Sequence, residues 1–236
     1  MADAEPLARR LESLQARIAD ACARTGRRPD SVQLLPVTKG LSPEAVRLAM
    51  ELGLKEFGES RVQEADGKIA ALSPRPRWHL VGHLQRNKAK RAVQLFDVIH
   101  SLDSAAIAEE VARRASLERR SPVCLVEVNT SGDPSKYGIS PGGALDLLRR
   151  VRDLTALSLR GLMTIGPLEG GAVGARASFR ALAALKAEAT REGLLGRDAD
   201  LSMGMSEDFE IAIEEGATIV RIGTALFGPR PARTAD

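Results

Sequence analysis

Aromatic side chains are scarce in this 236-residue chain, at 3%, and there are only two cysteines, Cys22 and Cys124. The cysteines lie far apart, one in a helical pattern and one in a strand-like run, so neither a disulfide framework nor a zinc site is indicated. A reducing cytoplasm is the compartment this usage predicts. The chain does not open on an apolar run of signal-peptide or membrane-span length. Met1-Ala2-Asp3-Ala4-Glu5 is acidic and passes directly into a helical pattern, so no membrane association is expected. Net charge is also small: 34 Lys and Arg against 31 Asp and Glu leave +3. Such a balance neither demands nucleic acid nor excludes a phosphate ligand. No Gly-x-Gly-x-x-Gly follows a strand-like run and no phosphate loop ends in Gly-Lys-Ser/Thr, which weakens dinucleotide and nucleotide readings. No soft linker divides the chain, so one domain over 1–236 is expected, with its core at about 30–229.

What is present is an aliphatic alternation. Hydrophobic residues make up 44% of the chain, enough for a full core built on Leu, Val, Ile and Ala. Leu7, Leu11, Leu14, Ile18 and Ala21 recur at spacings of three and four, which predicts an amphipathic helix over 6–24. Strand-like runs then follow at Leu34–Lys39, Glu56–Glu59, Trp78–Gly82, Val98–Leu102, Val123–Val128, Leu157–Ile165, Leu201–Met205 and Ile219–Phe227. Helical stretches separate them at Pro43–Leu52, through Ile69, at Lys88–Leu95, Ser104–Leu117, Gly142–Leu154, Ala175–Glu192 and Glu207–Glu215. Parallel neighbours need long return paths, so this order points to crossover connections. Eight units in this length predict an α/β fold, a single (β/α)8 TIM barrel with an extra N-terminal helix, and an open doubly wound sheet is the alternative. Gly166–Gly174 reads as a mobile loop over a strand end.

In a barrel the working residues sit at the carboxyl ends of the strands. The positions there are Lys39, Glu59, Ser60, His79, His83, Ser101, Asp103, Asn129, Lys136, Met163, Thr164, Ser206, Arg221, Gly223 and Thr224. Lys39 ends an apolar run. It is either a solvated terminal lysine or, beside apolar walls that lower its pKa, a nucleophile toward aldehydes. Gly223 and Thr224 offer unobstructed backbone N–H groups and a hydroxyl to a phosphate. Ser206 opens the preceding helical stretch, although a helix cap and a close-packing glycine are the plain alternatives. Arg221 interrupts an apolar strand, where a guanidinium is costly unless paired or facing a ligand. Alternation puts Ile219, Arg221 and Gly223 on one face and Val220, Ile222 and Thr224 on the other, and leaves open which face is inward. His79 and His83 read as packed or loop histidines rather than zinc ligands. The basic run Arg86-Asn87-Lys88-Ala89-Lys90-Arg91 reads as a solvated helix start, without the aromatics that nucleic-acid stacking would use.

Taken together, several segments resemble one family. They are Val37-Thr38-Lys39, Phe57-Gly58-Glu59-Ser60-Arg61-Val62-Gln63-Glu64, Trp78 to Lys88, Gly161-Leu162-Met163, Leu201 to Ser206, and Val220 to Gly228. In order, they are similar to the pyridoxal phosphate homeostasis proteins. The resemblance implies a barrel of the alanine racemase N-terminal type, pyridoxal phosphate fold type III. It implies pyridoxal 5'-phosphate held as a Schiff base on Lys39, with Ser206, Gly223 and Thr224 at the phosphate. It also implies Arg221 facing the pyridine nitrogen and Lys136 as a second lysine in cofactor handling. An arginine beside the ring disfavours a protonated pyridinium and so weakens the ring as an electron sink. Ser60 departs from the Asn usual in the family.

Three functions compete. One is a cytoplasmic, monomeric carrier that buffers pyridoxal 5'-phosphate, supplies apo-enzymes and has no dedicated turnover. Another is an amino-acid racemase on the same fold, which needs bases on both faces of the substrate carbon. Related racemases take the second base from an added carboxy-terminal domain, and the eight residues after Gly228 leave no room for one, so the carrier is expected. The last is an aldolase-like barrel that uses Lys39 on a phosphorylated carbonyl without the cofactor.

Overall fold

A computed structural model describes residues 4–133, 135–167 and 169–229. The first helix, α1 (Ala4–Arg24), buries Leu7, Leu11, Leu14, Ile18 and Ala21, because residues three and four apart share one face. Its polar edge is tied to the short helix at Phe209–Glu214. Arg17 pairs with Glu210 at 2.7 Å and Arg24 with Glu214 at 2.8 Å.

Strands and helices then alternate: β1 (Gln33–Pro36), α2 (Pro43–Glu51), β2 (Glu56–Glu59), α3 (Val62–Ala70), β3 (Arg77–Leu80), α4 (Ala89–Leu95), β4 (Val98–Leu102) and α5 (Ala105–Leu117). The second half continues with β5 (Val123–Glu127), α6 (Pro141–Asp153), β6 (Ser158–Met163), α7 (Gly171–Arg191), β7 (Asp200–Ser202), α8 (Phe209–Glu214), β8 (Ile219–Ile222) and α9 (Thr224–Phe227). Each strand lies parallel to its sequence neighbours, and β1 pairs with β8 in the register Leu35 to Arg221. The remaining gap is bridged by Val37 to Gly58, where Thr38 N–H donates to Gly58 O at 2.9 Å. That bridge makes the sheet a barrel rather than an open doubly wound sheet.

Several strands are shorter than their apolar runs. β1 ends at Pro36 and not at Lys39, β6 at Met163 and not at Ile165, and β7 at Ser202 and not at Met205. An apolar run reports burial, and burial continues into the loops after the ladder has stopped. The largest correction is at the end of β8. Gly223 and Thr224 do not lie in a strand, because the chain turns into α9 there, with Leu226 and Phe227 N–H both donating to Gly223 O. The expected loop over 166–174 is also shorter, since α7 already begins at Gly171; Leu168 lies outside the described residues.

Strand residues facing outward join the helices in the main core, with Phe57, Trp78, Leu80, Ile99, Val220 and Ile222 all buried. Inside the barrel are two small apolar clusters, Leu35, Val37, Val81 and Ile219 in one and Val98, Leu125 and Met163 in the other. The remaining interior is polar. Among the described residues no helix is long and apolar enough to cross a membrane.

Candidate functional site

Parallel strands deliver all their carboxyl ends to one rim, and a cavity of about 420 Å³ opens there, within the usual range for a small-molecule site. Lys39, Ser206, Arg221, Gly223 and Thr224 all line it, together with Ser60, Gly82, Glu207, Asp208 and the apolar Val37, Val81, Ile165, Pro167 and Met205. Residues from opposite ends of the chain meet because β1 and β8 are neighbours. Lys136 is not on this wall. Its ammonium donates to Gly166 O at 2.6 Å, between the lining residues Ile165 and Pro167.

Ser206 does not open a helix, since α8 starts at Phe209 behind Asp208. It sits in the preceding turn, and its hydroxyl accepts the Ala225 N–H at 3.2 Å. No hydrogen bond among the described residues uses the N–H of Gly223 or Thr224. Thr224, expected on the face opposite Gly223, reaches the cavity because α9 replaces strand alternation. Ser60 and Gly82 form another part of the wall by close approach. A Cβ at Gly82 would lie 2.2 Å from Ser60 O.

Arg221 points inward and is 4% exposed. One guanidinium nitrogen donates to Ser202 Oγ at 2.8 Å and another to Thr164 O at 2.8 Å. Burial lowers its pKa to about 10, against the opposing pull of Glu127 and Asp208, so it is a cation at neutral pH. Behind it runs a chain through the barrel: Ser202 Oγ to His100 Nδ1 at 3.0 Å, His100 Nε2 to His79 Nδ1 at 2.9 Å, and His79 Nε2 to Glu56 Oε2 at 2.7 Å. One proton order satisfies every link, with each group donating away from Arg221 and the last donor meeting the Glu56 carboxylate. Burial first, then the neighbouring His79 and Arg221, hold His100 well below the ordinary histidine value. The His79 hydrogen bond lowers Glu56.

Glu127, at the end of β5, is 3% exposed, and its Oε2 has no hydrogen-bond partner among the described residues. Burial and then Asp103 push its pKa up to about 7, while Arg221 pulls it down. His83 stacks on exposed Tyr137 with ring centroids 3.7 Å apart, and its Nδ1 lies 3.0 Å from Asp103 without hydrogen-bond alignment. Among the described residues no cluster of three or more His, Cys, Asp or Glu could hold a metal. Asn129 organises its own loop, donating to Asp133 O and Lys136 O. Thr164 serves Arg221 through its backbone carbonyl.

Sequence reasoning missed His100, Ser202, Glu127 and also Lys68 of α3, which is buried and donates to Thr38 O, next to Lys39, at 2.7 Å. His100 and Glu127 carry the signal that singled out Arg221, a polar residue inside an apolar strand. Lys68 carried none, because a lysine on an amphipathic helix looks solvated until its neighbours are known.

Residues 10–231 match the family described as Alanine racemase, N-terminal domain. A protein of Aquifex aeolicus named pyridoxal phosphate homeostasis protein is 42% identical over 222 residues, 94% of this chain and 97% of that one. The protein of the same name from Pseudomonas aeruginosa is 43% identical over 227 residues, 95% of this chain and 96% of that one. The solved structure of PipY from Synechococcus elongatus PCC7942 with PLP bound superposes with a TM-score of 0.82 at 40% identity, covering 94% of this chain and 100% of that chain.

Proposed function

We propose, because the chain belongs to the alanine racemase N-terminal domain family and is similar over its length to pyridoxal phosphate homeostasis proteins, that it binds pyridoxal 5'-phosphate and buffers it. The observation that carries this reading is the meeting of Lys39, Ser206, Arg221, Gly223 and Thr224 on one cavity wall. Bound there, pyridoxal 5'-phosphate supplies an aldehyde that an amine captures reversibly, both amine protons leaving with the carbonyl oxygen as one water.

Lys39 supplies that amine. The N–H groups of Gly223 and Thr224 and the hydroxyls of Ser206 and Thr224 suit a phosphate, being donors on the wall with room beside them. Arg221 offers its remaining N–H donors to the ring nitrogen. As a cation it cannot readily give that nitrogen a proton, so it supports carriage over carbanion chemistry. Ser60 takes the place of an asparagine and reaches less far. The racemase alternative is not favoured, and no observation speaks for an aldolase that works without the cofactor. The reading extends to a one-domain monomer in the cytoplasm that supplies apo-enzymes, with Lys136 at the rim as a second amine in cofactor handling.

The test is an absorption spectrum of the purified protein with added pyridoxal 5'-phosphate, then borohydride reduction and peptide mapping. The expected result is a lysine-adduct band with the label on Lys39, lost in Lys39→Ala. No band and no label, or the same label in Lys39→Ala, would overturn the assignment.

A further inference from the structure

Both residues flanking Lys39 are held by one ion-pair cluster, whose Lys68–Glu59 centre is buried and whose Glu64 edge is half-exposed. On the amino side, Thr38 is fully buried and its hydroxyl donates to Glu59 Oε1 at 2.6 Å. On the carboxyl side, Gly40 takes φ +76°, a left-handed conformation that costs glycine little, and its N–H donates to Glu64 Oε1. A single ammonium joins the two sides. Lys68 Nζ donates to Thr38 O at 2.7 Å and to Glu59 Oε1, and lies 3.4 Å from Glu64 Oε1. The Lys68 side chain is 4% exposed and that of Glu59 is 0% exposed.

Stability alone is a poor reason for this arrangement. Desolvating an ammonium and a carboxylate costs about as much as their attraction returns, and apolar replacements of buried pairs are often neutral or better. Burial raises the pKa of Glu59 even with Lys68 beside it, and Glu59 Oε2 has no hydrogen-bond partner among the described residues. What the cluster does achieve is geometric. Its hydrogen bonds end on the peptide and hydroxyl groups immediately before and after Lys39, which restricts the direction in which the Lys39 Cα presents its side chain to the cavity.

We propose that Glu59, Glu64 and Lys68 are positioning residues for Lys39, holding its backbone so that the amine meets the aldehyde in reacting geometry. The proposal rests on Lys39 being the residue that captures pyridoxal 5'-phosphate. Displacing a reacting group by about 1 Å costs on the order of a hundredfold in rate. Loosening the turn therefore slows capture by about tenfold or more and leaves noncovalent recognition of ring and phosphate alone.

The experiment uses the full chain and two probes. Pyridoxal 5'-phosphate is followed by stopped-flow absorbance, with borohydride trapping to confirm the site. Pyridoxine 5'-phosphate, an alcohol that cannot be captured, is followed by calorimetry. Lys68→Met keeps the stem and removes the ammonium; Glu64→Ala removes the Gly40 acceptor and Glu64→Gln keeps one. The expected result is capture slowed about tenfold or more in Lys68→Met and Glu64→Ala and within about twofold of the parent in Glu64→Gln, with pyridoxine 5'-phosphate affinity unchanged in all three. Unchanged capture rates, or equal losses for both probes, overturn the proposal. If Lys68→Met does not fold, the Glu64 pair decides, since that side chain is 32% exposed. A parent chain that forms no adduct at Lys39 overturns the cofactor reading itself.

Discussion

Glu127→Gln is expected to stabilise the protein at neutral and alkaline pH and to lose that advantage in acid. Glu127 is buried with one oxygen unpartnered, and burial first, then Asp103, raise its pKa from the ordinary 4.5 to about 7. Between those two values the folded carboxyl keeps a proton that the unfolded chain has released. The folded state therefore binds more protons, and stability falls as pH rises through that window and levels off above it. A gap of about 2.5 pH units at 1.36 kcal/mol each comes to about 3 kcal/mol. Glutamine keeps the shape and never ionises. Variant minus parent should accordingly climb by about 3 kcal/mol from pH 4 to pH 8, steepest between about pH 5 and 6.5 and flat above about pH 8. Urea unfolding followed by far-ultraviolet circular dichroism across that range measures it, and the difference cancels the titrations common to both proteins. A difference independent of pH would refute the reasoning. So would a variant that becomes the less stable of the two above pH 7, because the carboxylate would then be a stabilising partner of Arg221.

Two further substitutions test the walls around the cavity. Ser202→Ala takes an acceptor from the Arg221 guanidinium and a partner from His100. The expected loss is about 2 to 4 kcal/mol, with a midpoint roughly 5 to 15 °C lower in a thermal melt; an unchanged melt would mean that the chain behind Arg221 does not hold it. Gly82→Ala would put a Cβ 2.2 Å from Ser60 O, so backbone must move. A loss of about 2 kcal/mol or more is expected, together with weaker pyridoxine 5'-phosphate binding by calorimetry, and a variant that matches the parent in both would contradict the close approach.

The barrel was legible because each strand is covered on both faces and therefore appears as a short apolar run between amphipathic helices. The same logic blurred its ends. Ile222 and Leu226 are equally buried, one in β8 and the other in α9, and an apolar run does not separate a ladder from a turn. Lys39, Ser206, Arg221, Gly223 and Thr224 were legible from residue type and from family resemblance, and they converge on one cavity. Lys136 was also named, and it lies at the rim.

By itself, then, the sequence determined the alternation of elements, the end of the barrel that carries chemistry and the residues offered there. Those follow from local periodicity and from side-chain type. Tertiary structure alone decided that β1 closes against β2, that Arg221 faces inward, that Gly223 starts a turn and that Lys68 is buried behind Lys39. The reason is distance along the chain. His100 and Ser202 are 102 residues apart and bonded at 3.0 Å, while Lys68 reaches back 30 residues to Thr38 O. Hydrophobic patterning records which residues leave water, and only the folded barrel assigns each buried polar group its partner.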